Sequence, residues 1–162
     1  MRRGTRAIAV VTLALLASGG LAAQVDEAST DVSSTDEASA DPALYAVGAL
    51  GASNLYATYF LLGTLADGYA TAAYTGEFAD ELARDVIGLG ESSIEVLREL
   101  LADDGLAGDD RTLVGDMIRA HELLVSQAWG LISYVADGDD TDEWFRYRRA
   151  AWELITRLLD LE

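Results

Sequence analysis

The chain has 162 residues, with 28 acidic side chains against 11 basic ones, and its formal net charge is −17. A field this negative repels nucleic acid and anionic lipid surfaces. The absence of cysteine excludes disulfides, thiolate metal sites and a lipid-modified cysteine, and a single histidine would leave any zinc site to carboxylates. There is length for one domain, which at this size buries roughly two thirds of its surface and so needs no covalent staple.

Residues 1–23 read as an export signal. Arg2, Arg3 and Arg6 make a basic start, Ala7 to Leu16 is apolar, and Ser18 to Ala23 offers the small residues a signal peptidase reads. The apolar run is too short to span a bilayer comfortably. Cleavage is expected after Ala23, with Ala22 as the near alternative, which places the protein in the periplasm or outside the cell. Every base is arginine and three of them lie in this leader, so the remainder is more acidic still.

Residues 24–41 are a low-complexity run of Ser, Thr, Asp and Glu, in which Asp26-Glu-Ala-Ser recurs from Asp36. With little to bury and much like charge, this segment is expected to be a disordered acidic linker. A tether or glycosylated stalk is the functional reading; a plain spacer is the simpler one and is preferred.

From Pro42 onward the pattern becomes helical. Pro42 suits a first turn, capped by Asp41 or Ser39, and a first helix is predicted over about 43–74. No charge occurs from Pro42 to Ala66, which invites a transmembrane reading. Asn54, Thr58, Thr64, several glycines and Tyr45, Tyr56, Tyr59 and Tyr69 speak against it, and no arginine cluster follows to anchor a cytoplasmic end. A core helix is the preferred reading.

Thr75-Gly76 breaks the chain, with Glu77 and Asp80 suited to a helix start. The second helix is predicted over about 77–102, with Phe78, Leu82, Val86, Leu89, Ser93, Val96, Leu97 and Leu100 on one face. Asp109 and Asp110 are expected to cap a third helix over about 111–136, closed by Asp137-Gly138. Asp140 or Thr141 opens a fourth, about 141–160, and Asp140 with Glu143 forms part of a capping box. No alternating run is long enough for a strand. Four helices on short connections predict an all-α, up-down-up-down antiparallel four-helix bundle over 42–162.

Nucleophile-elbow, P-loop, dinucleotide, zinc-protease, di-iron and covalent-haem motifs are all missing from the sequence. The acidic run from Asp137 to Glu143 does not follow the calcium-loop spacing, and helix capping explains it more simply. No cofactor, no metal and no catalytic set is therefore expected.

The informative residues are polar ones on apolar faces. In the third helix, Val114, Ile118, Val125, Ala128, Trp129, Ile132 and Val135 form one flank and Leu113, Met117, Leu124 and Leu131 the other, with His121 between them. In the fourth, Arg148 projects amid Trp144, Tyr147, Ala151, Leu154, Ile155, Leu158 and Leu159. Ser93 lies in the apolar arc of the second helix, and Asn54 on the flank of the first. At a rise of about 1.5 Å per residue these four fall within about a turn of one height, with Glu122 nearby as the carboxylate for Arg148. A buried arginine must be satisfied. Three readings follow: a register-fixing polar layer, an Arg148 that snorkels to solvent, or a ligand site in which Arg148 pairs an acid group while His121 and Asn54 donate. Trp129, Trp144 and Trp152 are expected to fill the core. The functional expectation is an exported, noncatalytic binding or interaction module, its partner a protein or a small anion; the alternative is a small-molecule or anion sensor or carrier built on the polar layer.

Overall fold

The computed structural model describes residues 42–102, 104–106, 108–138 and 141–161. The chain divides into two units, Met1–Glu37 and Ala38–Glu162, and all described residues belong to the second. The export signal, the acidic linker and the cap expected at Ser39 or Asp41 lie outside them.

Four helices make up this unit: α1 (Pro42–Ala70), α2 (Gly76–Leu101), α3 (Gly108–Asp137) and α4 (Asp142–Leu158). They form an all-α four-helix bundle in which α3 touches the other three helices, while α2 and α4 do not meet.

Helix ends follow local chemistry. α1 stops at Ala70, four residues before the expected Tyr74. Ala72 adopts a left-handed conformation with φ 56°, the Ala73 amide donates to the Gly68 carbonyl, and the Ala72 amide to that of Tyr69. This is the Schellman closure, here with alanine where glycine is usual. The same pair of bonds ends α4, with Asp160 left-handed at φ 52°. Gly138 closes α3 at φ 74°, its amide donating to the Tyr134 carbonyl. The Thr75 hydroxyl caps α2 by accepting from the Phe78 amide at 3.2 Å. α3 begins at Gly108, so Asp109 and Asp110 occupy its first turn, where they favour the positive end of the helix dipole. At the start of α4, Thr141 makes no side-chain cap bond and Glu143 accepts from Arg146; Asp140 of the expected capping box lies outside the described residues.

Packing departs from the expected faces in two helices. α1 is apolar nearly all round, yet apart from Gly63 it buries only the stripe Ala52, Leu55, Tyr59, Leu62, Leu65 and Ala66. Most of that stripe has alternating spacings of three and four, the geometry of one seam against a neighbouring helix. In α2 the inward face is Ala79, Ala83, Val86, Ile87, Ile94 and Leu97, and Phe78, Leu89 and Val96 are exposed. The predicted arc is therefore rotated away from α3. Ala79 and Ala83 are fully buried, and the bulkier residues are left to the side. Trp129 is likewise exposed, with the Arg84 guanidinium 5.8 Å from its ring centre. Trp144 is buried as expected. Trp152 stands at the edge of an aromatic cluster with Tyr56, Tyr59 and Phe60.

Candidate functional site

The structure separates the five polar residues into three places. Asn54, Ser93 and His121 come together, Arg148 stands apart from them, and Glu122 is taken by a different partner.

The first group lines a groove. Because α1 buries only a narrow stripe, and α2 presents its alanine face to α3, the two helices do not close over α3 between them. Val47, Leu50 and Leu61 from α1 and Leu89 and Val96 from α2 form the walls. Met117, His121 and Leu124 of α3 lie at the floor. The opening has a volume of about 510 Å³, and a more enclosed hollow of about 140 Å³ lies beside it; Asn54, Leu89, Ser93 and His121 line both. Leu50, Leu89 and Val96 are 72%, 70% and 65% exposed, unusual values for large aliphatic side chains that lie next to one another. Among the described residues, none that lines either hollow is an acid or an arginine.

His121 is the most unusual member. It is only 5% exposed, and no described group hydrogen-bonds its ring. Burial disfavours the charged imidazolium and lowers its pKa below the usual 6.5, so the ring is neutral at pH 7 and presents one donor and one acceptor. The Ser93 hydroxyl donates to the Leu89 carbonyl at 2.9 Å and keeps its lone pairs. The exposed Asn54 amide makes no bond to a described group.

Arg148 lies on the other flank of α1. Its guanidinium carbon is 4.5 Å from the ring centre of Tyr59 and 5.7 Å from that of Trp144. It rests directly on Gly63, where an added Cβ would come within 2.6 Å of Nη1. That Nη1 is buried without an acceptor among the described groups. The aromatic faces offset part of the cost through cation–π attraction. A small hollow of about 130 Å³ opens beside it, with Asp67, Tyr134 and Thr141 in its lining.

The expected Glu122–Arg148 pair is not formed. Glu122 accepts from Arg98 of α2 at 2.8 Å, on the exposed edge of α3. Similar axial height did not suffice, because the two side chains leave their helices on different sides. The single layer of four is in this sense two separate features.

One polar residue was missed. Gln127 is fully buried, and neither atom of its amide finds a partner among the described groups. The signal was present in the spacing: Gln127 follows Leu124 by three and precedes Leu131 by four, which puts it in the buried seam with both.

Among the described residues no three of His, Cys, Asp and Glu gather so as to hold a metal ion, and no helix is long and apolar enough to cross a membrane. No protein-family model, no curated protein and no solved structure matches the chain. Any functional reading therefore rests on the groove and on Arg148 themselves.

Proposed function

We propose that the chain is an exported, noncatalytic binding module, an up-down-up-down bundle delivered behind a cleaved leader and an acidic linker, and that the α1–α2 groove is its binding surface. The observation that carries this reading is the groove's composition. Large aliphatic side chains stay exposed along both walls, and the one histidine lies unpartnered on the floor. Exposed apolar patches of this kind mark interaction sites. The noncatalytic part is supported by the lining, in which no described residue offers His121 a carboxylate to orient it or share its proton. The short connections 71–75, 102–107 and 138–141 support the up-and-down topology.

The test is uptake of the neutral fluorophore N-phenyl-1-naphthylamine by the purified protein. The reading expects saturable, one-to-one fluorescence enhancement that is lost in Leu89→Glu, a change at an exposed wall position that places a charge in the groove. Absence of saturable uptake would overturn it. Export is tested by sequencing the N-terminus of the secreted product, where Gln24 is the expected first residue; intact Met1 on protein held in the cytoplasm would refute it.

The anion-sensor reading retains one observation, the buried Nη1 of Arg148 with no acceptor. If it holds, acetate, malonate or phosphate raises the melting temperature of the wild type and not of Arg148→Ala. No rise with any of the three removes it.

A further inference from the structure

We infer that the groove takes a neutral amphiphile: an apolar chain or ring system with one uncharged hydrogen-bonding group, which is received by His121, Asn54 and Ser93. The inference rests on the reading of the groove as the binding surface and specifies what enters it.

Charge supplies the first argument. Acids and arginines are frequent in the chain, yet among the described residues none lines either hollow. An ionised head placed there would lose its water and meet no counter-charge. Anionic amphiphiles are disfavoured a second time by the net charge of −17.

Hydrogen bonding supplies the second. His121 lines both hollows and has no hydrogen-bond partner among the described groups, so its ring nitrogens are open to a guest. A neutral imidazole offers one donor and one acceptor, the Asn54 amide adds both kinds, and Ser93 contributes lone pairs because its proton is committed to the Leu89 carbonyl. Donors and acceptors of equal strength on uncharged groups suit a hydroxyl, an amide or a carbonyl. Arg148, the group that would hold an acid, is absent from the lining of both hollows.

Size supplies the third. A volume of about 510 Å³ falls within the range of about 300–1,000 Å³ usual for single small-molecule sites, and the exposed leucines and valines of the walls match the apolar body.

The experiment is displacement of N-phenyl-1-naphthylamine from the purified protein by 1-decanol, decane, decanoate and decyltrimethylammonium, with the ring resonances of the single histidine followed by NMR. We expect 1-decanol to displace the probe and shift the His121 signals. Decane should bind about tenfold more weakly, the order expected for one or two neutral hydrogen bonds, and both ions more weakly than the alcohol. His121→Leu should reduce the preference for decanol over decane about tenfold. Asn54→Leu, at an exposed position, should lower the same preference without relying on a core substitution. Decanoate or the ammonium compound binding more tightly than decanol would overturn the inference. So would a preference for decanol that survives both substitutions. In either case probe uptake would leave the groove as the binding surface, whereas no probe uptake would refute that underlying reading as well.

Discussion

The α3–α4 seam and the α1–α2 groove end in opposite states, although α1 is the most apolar of the four helices and α4 the least. At the seam, Gly130 of α3 lies against the Trp144 backbone: an added Cβ would be 3.1 Å from its Cα and 3.2 Å from its nitrogen. At the groove, Leu50, Leu89 and Val96 stay exposed. Small side chains at a crossing let helices close, and large ones not matched by holes opposite hold them apart. Apolar content alone does not predict engagement. α1 is uncharged from Pro42 to Ala66 and still leaves much of its surface open.

This contrast can be broken most directly at Gly130. Gly130→Ala brings a methyl group tight against the Trp144 backbone, and is expected to cost about 1–2 kcal/mol in denaturant unfolding after the helix-propensity gain of roughly 1 kcal/mol is set against the crowding. A cost near zero would show that the seam is looser than its geometry. Gln127→Leu should act in the other direction. It replaces a buried amide that has no partner with a side chain of similar length, and a gain of about 1–2 kcal/mol is expected. A loss would mean that the amide is satisfied after all.

The groove floor gives a pH signature. The pKa of His121 is lowered in the folded state, so the unfolded chain binds more protons below about pH 6.5. Stability contributed by the neutral ring is therefore present above that pH and is lost as the pH falls below it, with a slope of at most about 1.4 kcal/mol per pH unit. His121→Leu should remove this component. Identical curves for the two proteins between pH 7.5 and 5.5 would contradict the assignment. The smallest expected effect sharpens the glycine comparison. Gly88 of α2 is exposed and an added Cβ would meet nothing within 4 Å, so Gly88→Ala should stabilise by about 0.5–1 kcal/mol through helix propensity. A destabilising Gly88→Ala would show that the outer face of α2 is covered.

Much of the local structure was legible. Thr75, Gly138 and the paired aspartates before the third helix mark ends that the structure places within three residues of expectation, because caps and turns are decided by neighbours in the chain. The end of α1 was not legible, since its closure uses left-handed Ala72 and alanine carries no turn signal. The grouping of Asn54, Ser93 and His121 was readable from helical phase and height. The place of Arg148 was not. Phase measured from the middle of an apolar arc assumes that the arc faces the bundle axis, and Arg148 instead lies over Gly63 between Tyr59 and Trp144.

The sequence by itself determined four helices, their approximate bounds and a mostly apolar interior, since hydrogen bonds four residues apart and a 3.6-residue period are properties of each segment alone. Which part of each apolar arc turns inward was settled only when the helices met. Gly130 carries almost no hydropathic signal, yet it lets α3 lie against the Trp144 backbone, and close packing rewards proximity more steeply than it rewards the greasiness of any one side chain. The bulkier Leu89 and Val96 were left at the rim, and the groove exists because of that choice.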